Sequence, residues 1–167
     1  MERSVSLRPA NRQDIDRMFQ WRNDPDIYQW FRNQDEPLDW HDHVDWFQSR
    51  PDDRTDLIIE YPSTPAGVVS LAADGDVGIY IGEKHLWGKG IASEALEKAL
   101  QGRYGEFSAE IHVDNTASQK LFEKQGFERV GQEDDWIQYR YERRRWEMEN
   151  EHGFMQGDGS LHVEHNK

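Results

Sequence analysis

The stretch from Ile79 to Leu96, IYIGEKHLWGKGIASEAL, passes from strand chemistry through a glycine turn into helix chemistry, and it constrains the fold more than any other part of the chain. Its approach, Val77 to Ile81, is apolar and β-branched around Gly78 and Tyr80, the pattern of a strand buried on both faces. Gly88, Lys89 and Gly90 then turn the chain. Beyond them Ile91, Ala92, Ala95, Leu96, Ala99 and Leu100 recur at helical spacing, with Ser93, Glu94, Glu97 and Lys98 on the other side. The first amides of a helix have no partner inside it, and the macrodipole places about half a positive charge there, so phosphate oxygens bind well at such a turn. Glycine at positions 88 and 90 lets a ligand reach the main chain with no Cβ in the way.

Spacing argues against two well-known phosphate loops. A Walker A loop has four residues between its glycines and Ser or Thr after its lysine, whereas Gly82 and Gly88 enclose five and Lys89 is followed by Gly90. A dinucleotide fingerprint needs Gly or Ala where Ser93 stands, and an acidic residue about twenty positions on that closes a second parallel strand.

The remaining elements are read outward from this turn. Val5 to Arg8 alternates and meets Pro9, a short first strand. Asn11 caps the next helix, with Asp14 at its third position, Ile15, Met18 and Phe19 as its stripe, and Pro25 ending it. A second helix is expected from Asp39 to Ser49, with Trp40, Val44 and Phe47 on one side. Leu57 to Tyr61 and Ala66 to Leu71 read as strands around Pro62 and Pro65, and Asp74-Gly75-Asp76 turns the chain into the central strand. Those aspartates lack the other ligands of a calcium loop, and no metal site is expected. Phe107 to Val113 alternates, with Phe107, Ala109, Ile111 and Val113 on one face and Ser108, Glu110, His112 and Asp114 on the other. Asn115 caps a fourth helix whose Ala117, Leu121 and Phe122 face the core, and Gly126 stops it. Phe127 to Val130 and Trp136 to Arg143 are the last strands. The order of parts is α/β.

With 167 residues, one domain is expected. No apolar run is long enough to cross a membrane and the start, MERSVSLRPA, lacks a secretory hydrophobic segment, so the expected location is cytoplasmic. Without cysteine there is no disulfide, thiolate metal site or cysteine acyl-enzyme. A net charge of -13 argues against nucleic acid or anionic lipid as the main partner. The acid excess and a preference for Arg over Lys also suit a cytosol of high salt, with an ordinary acidic mesophile protein as the other reading. After Trp146, residues 147–167 show little apolar content and no period, and a flexible or loosely docked tail is expected.

The segment His85-Leu86-Trp87-Gly88-Lys89-Gly90 resembles the acetyl-CoA loop of the GNAT N-acetyltransferases, Gln/Arg-x-x-Gly-x-Gly/Ala, with His85 in place of the usual first residue. Asp114 to Phe127, DNTASQKLFEKQGF, resembles the later signature of the same family, in which Asn-x-x-Ala/Ser opens a helix and Gly-Phe closes it. The form IGEKHLWGKGIA looks most like the branch of ribosomal-protein N-terminal and amino-sugar acetyltransferases. WRNDP at Trp21 to Pro25, with His43 to Trp46, resembles the amino-sugar members.

The resemblance implies a GNAT domain over residues 1–146: a mixed sheet, splayed beside its central strand and flanked by helices, with acetyl-CoA as co-substrate. Direct transfer to a small-molecule amine such as a nucleotide-linked 4-amino sugar is the expected activity, in a monomer or homodimer. A protein N-terminus as acceptor and a non-catalytic acyl-CoA sensor are the alternatives. By the same resemblance, the backbone of Ile79, Tyr80 and Ile81 holds the pantetheine arm and the amides from Trp87 to Ala92, Ile91 included, hold the pyrophosphate. Lys89 is either a charge on that pyrophosphate or a solvated lysine; Asn115 and Ser118 bond the CoA arm or serve the helix cap. Glu110, five residues before Asn115, either matches the position of a carboxylate base or serves a salt bridge or surface role, with His112 next to it in candidacy as base. Many members carry a tyrosine where this chain has Phe122, which leaves Tyr80, Tyr139 or water to protonate the thiolate. The wall between the first two helices, with Trp30, Arg22, Asn23 and His43, either shapes the acceptor pocket or is ordinary helix packing.

Overall fold

A computed structural model of the protein describes residues 4–145; the expected tail at 147–167 lies outside them. Strand β1 (Ser6–Pro9) leads to Asn11, which forms a capping box with Asp14 around a short 3-10 turn. That turn runs into α1 (Ile15–Arg22). Pro25 stops α1 as expected, then serves as the first residue of a four-residue helix, α2 (Pro25–Tyr28), capped by Asp24. Asp39 caps α3 (Trp40–Gln48). Its buried side is His43 and Phe47, whereas Trp40 is exposed, contrary to the stripe read from spacing.

Strands β2 (Thr55–Glu60), β3 (Pro65–Leu71) and β4 (Val77–Ile81) follow, and β1 to β4 form one antiparallel sheet in sequence order. After α4 (Ile91–Leu100) come β5 (Gly105–His112), α5 (Thr116–Gln125), β6 (Glu128–Glu133) and β7 (Trp136–Arg143), whose strands form a second antiparallel sheet in the order β5-β7-β6. Strand β6 runs further than Val130, with a register shift between Arg129 and Gly131.

Alternation sorts the side chains cleanly. Ile58, Val68 and Tyr80 point to α1, α2 and α3, where Met18, Trp21, Ile27 and Phe47 cover them. Ile59, Val69, Ile79 and Ile81 point the other way, onto Ile91, Ala95 and Ala99 of α4. Leu96 and Leu100 on the same helix reach the second sheet, where Ala109, Ile111, Ile137 and Tyr139 pack with Phe122 and Phe127. Helix α4 therefore spans both sheets on one side.

The sheets meet between β4 and β5, and they meet at one end only. Asp76 and Ser108 form an isolated parallel bridge, with the Ser108 amide donating to the Gly75 carbonyl at 2.9 Å. Beyond that point the two strands make no ladder, so they splay towards Ile81 and His112. The central strand is consequently only half-buried: Val77 is covered, but Gly78 is exposed and Ile79, Tyr80 and Ile81 are intermediate. Burial on both faces fails here because the space beside the strand is a cleft.

Candidate active site

The register fixes which main-chain groups line the cleft. Gly82 donates to Ala66 and Ala72 to Asp76, so the even-numbered residues of β4 pair with β3, while Val77, Ile79 and Ile81 turn their amides and carbonyls away from it. On β5, Val113 donates to Asp135, which commits odd-numbered residues to β7 and turns the backbone of Ser108, Glu110 and His112 towards β4. Two unpaired edges thus face each other across a gap that widens away from the Asp76–Ser108 bridge. The main chain of Tyr80 is not on that edge, because it pairs with Val68. The Ile81 carbonyl already accepts the Trp87 indole N–H at 2.9 Å.

At the mouth of the gap the chain makes a 3-10 turn at Lys84–Leu86 and then the glycine turn. Gly88 and Gly90 have φ of +79° and +81°, and a Cβ built on either meets nothing within 4 Å. Their freedom is needed by the backbone and leaves open space before it. Gly90 is the N-cap of α4 and supplies no side-chain acceptor, so the amides of Ile91, Ala92 and Ser93 point outward uncapped. Across from them, α5 begins at Asn115, whose Oδ1 accepts the Ser118 amide at 3.2 Å. Its Nδ2 has no partner among the described residues and remains free to donate. Ala117 is exposed to the cleft, not packed in the core as its spacing suggested.

A cavity of about 1010 Å³ runs from this mouth through the gap to α1 and α2. Its mouth half carries Lys120 and Lys124. Its inner half carries the acids Asp26, Asp56, Asp76 and Glu110 and the cations Arg22, Arg32 and Arg54. Glu110 projects from β5 and is ion-paired with Arg32, which also bonds Glu133 at 2.5 Å. The Asp76 carboxyl is pushed up to about 6 by desolvation first, then by Asp74 and Glu110. More than a third of its surface stays open to solvent through the cleft, which weakens that shift.

Residues 4–128 match the acetyltransferase (GNAT) domain. The chain belongs to the GNAT acetyltransferases. An uncharacterized protein of Methanocaldococcus jannaschii is 34% identical over 147 residues, which is 80% of this chain, and this chain spans 30% of that relative's length. The crystal structure of a domain from the same organism superposes with a TM-score of 0.78 at 31% identity, covering 85% of this chain and all of that one. Spermidine N-acetyltransferase from Vibrio cholerae, solved with CoA and spermine, shares the fold at TM-score 0.69 and 19% identity, over 82% of this chain and 93% of that one. GNAT enzymes use acetyl-CoA as co-substrate, and the open amides of Gly88 to Ser93, the two unpaired strand edges and the lysines of α5 fit such a molecule here.

Against that family background the candidate residues separate. Ile79, Ile81, Trp87, Gly88, Gly90, Ile91, Ala92, Asn115, Ser118, Tyr80, Trp30, Arg22 and Glu110 all line the cavity. Lys89 is exposed outside its wall. His112 is half-buried between the rings of Trp30 and Trp136, at 5.7 and 5.2 Å, with Nδ1 accepting the Asp114 amide at 3.1 Å. Asn23 clamps the loop through Leu38, accepting its amide at 2.6 Å, and does not reach the cavity. His43 is 2% exposed, its Nε2 meets the Ile15 carbonyl at 3.1 Å, and burial lowers its pKa, so it is a core histidine. Tyr139 lies in the core beneath the second sheet with its hydroxyl on Glu123 at 2.7 Å. Phe122 is 2% exposed and stacks edge-on with Phe127 at 5.0 Å.

Arg32, Arg54, Asp76, Lys120 and Lys124 of the site escaped the reading of the sequence. The lysines carried a usable signal, since positions 117, 120 and 124 fall on one helical stripe beginning at the cap. Arg32 carried none, because its partner lies 78 positions away.

Proposed function

We propose that this chain is an acetyl-CoA-dependent N-acetyltransferase that moves acetyl directly to the primary amine of a small molecule, with a nucleotide-linked amino sugar as the favoured acceptor. The observation that carries this reading is the opposition of two unpaired strand edges across a gap that opens from uncapped helix amides at one end to a carboxylate at the other. Bound acetyl-CoA supplies an activated acetyl thioester.

The residues of the chain do the rest. Amides from Gly88 to Ser93 hold the diphosphate, and Lys120 and Lys124 add charge on the facing wall. Charges beyond about 8 Å are screened at physiological salt, so these local cations outweigh the net acidity of the chain. Ile79 and the Ile81 amide hold the extended arm as a strand would, and Asn115 Nδ2 donates to it. Glu110 lies on the gap-facing side of β5 and takes the proton from the attacking nitrogen, directly or through water. An incoming ammonium competes with Arg32 for that carboxylate. Hydrogen-bond donors at the thioester carbonyl come from the β4 edge. No phenol of α5 meets the leaving thiolate.

Acceptor profiling with labelled acetyl-CoA tests the reading: label is expected on small amines, and label on ribosomal or other polypeptides alone overturns the choice of acceptor. Glu110→Gln is expected to lower turnover about a hundredfold while CoA affinity holds. Unchanged turnover removes Glu110 from the mechanism.

A further inference from the structure

A guanidinium with no ion-pair partner among the described residues stands at the inner end of the cleft. Arg22, the last residue of α1, lies with Cζ 5.1 Å from the ring centroid of Trp46 and 5.8 Å from that of Phe31. The rings hold its plane, and its side chain borders the cavity with no carboxylate partner among the described residues. Burial lowers its pKa, with a smaller repulsion from Arg54 acting in the same sense.

The acid whose charge acts on Arg22, Asp56, is already in use. Asp56 is fully buried and accepts from Arg50 at 2.9 Å, from Arg54 at 3.0 Å and from the Ser70 hydroxyl at 2.7 Å. Burial alone would raise its pKa, but the bonds from Arg54, Ser70 and Arg50 outweigh it and hold the group ionised. Two guanidinium groups, Arg50 and Arg54, therefore hold one carboxylate, and Arg22 shares the Trp46 ring with Arg54, in a chain whose net charge is -13. Asp76 also lines the cavity and feels the charge of Glu110, the proposed base.

A second observation falls at the same place. The hydroxyl of Tyr80 is buried without a hydrogen-bond partner among the described residues, and its ring shares the neighbour Phe31, at 5.4 Å, with the Arg22 guanidinium. Gln34, which also borders the cavity, keeps its Oε1 buried and unpaired while its Nε2 donates to the Arg22 carbonyl at 2.6 Å. Buried polar groups are costly to leave unpaired, and here a cation and a hydroxyl donor converge on one part of a cavity wall.

We propose that Arg22 and the Tyr80 hydroxyl form a subsite for an oxyanion, so that the acceptor is a primary amine bearing a phosphate or carboxylate. The nitrogen then lies towards Asp76 and Glu110 and the anion towards Arg22, which fixes the amine against its base. The inference rests on the acetyltransferase reading and narrows its acceptor. A phosphorylated amino sugar and an amino acid both supply this chemistry, whereas a polyamine supplies none of it.

The test compares matched acceptors with acetyl-CoA: glucosamine 6-phosphate against glucosamine, 6-aminohexanoate against hexylamine, and spermidine as the cationic case. The protein is expected to favour one or both anionic members by at least tenfold in kcat/KM, mainly through KM, and the preferred pair shows which oxyanion is read. Arg22→Met is expected to cut that preference about ten- to a hundredfold, the range of a lost charge-assisted hydrogen bond, and Tyr80→Phe about three- to tenfold. Should Arg22→Met fail to fold by circular dichroism, Tyr80→Phe carries the comparison alone. Preference for spermidine or for the members that lack an anion overturns the subsite, as does an equal loss on both members of a pair. CoA binding by calorimetry separates this from the parent reading: binding and turnover without anion preference sinks only the subsite, whereas no binding and no turnover with any amine sinks both.

Discussion

Gly90→Ala separates two reasons for a glycine at the head of α4. Gly90 has φ +81° and caps the helix, and a Cβ there meets no atom within 4 Å. No packing is disturbed, so the stability cost is the left-handed conformation of an L-residue, about 1–2 kcal/mol. For a domain of this size that is a fall in Tm of about 2–8 °C. The expected effect on cofactor binding has another origin, since the new methyl stands where the proposed cradle would meet the diphosphate. Loss of one charge-assisted bond is worth about 1.5–3 kcal/mol, or roughly ten- to a hundredfold in Kd for CoA. Scanning calorimetry gives the first quantity and titration calorimetry with CoA gives the second. A lowered Tm with unchanged Kd would show that the glycine serves only the turn and would refute the cradle. An unchanged Tm would refute the backbone conformation from which both numbers derive.

Other substitutions probe the frame and the inner cleft. In Gly67→Ala the new Cβ falls 2.2 Å from the Tyr80 carbonyl oxygen, so β3 and β4 must part; a loss of about 3 kcal/mol or more in urea unfolding is expected, against the smaller loss at Gly90. Asp76 has its folded pKa raised from 3.8 to about 6, so the fold favours its protonated form and stability falls as pH rises through that window. The full shift corresponds to about 3 kcal/mol, and solvent exposure reduces it to about 1. Asp76→Asn should therefore unfold at higher urea than the parent at pH 7.5 and at the same urea near pH 3.5; a gain at the acid end instead would reverse the assigned sign.

Much of this architecture is legible in local sequence because local chemistry decides it. Val77 to Ile81 has the bounds read from its β-branched run, Asn115 and Gly126 bracket α5 as its caps demand, and the alternation of β5 puts Ala109 and Ile111 inward and Glu110 outward. What escaped was decided by partners distant in the chain. The four-residue α2 is too short for any period to register. The half-exposure of β4 follows from where the second sheet attaches, which no residue of β4 encodes. His43 and Asn23 have polar side chains that suit a pocket equally well, and only the fold reveals that one meets the Ile15 carbonyl and the other braces Leu38. The glycine turn before α4 and the cap of α5 follow from local motifs, whereas the inner wall depends on which arginine finds an acid, and that is settled in three dimensions.

The lone bridge between Asp76 and Ser108 makes the two sheets a single unit at one end and strangers at the other. An extended molecule seated between Ile79 and Glu110 would act as mortar, knitting seven strands into a continuous surface that the polypeptide leaves unfinished. Amide exchange at those two residues should then slow on CoA addition more than anywhere else in the strands, and the cohesion of the domain would track the supply of CoA.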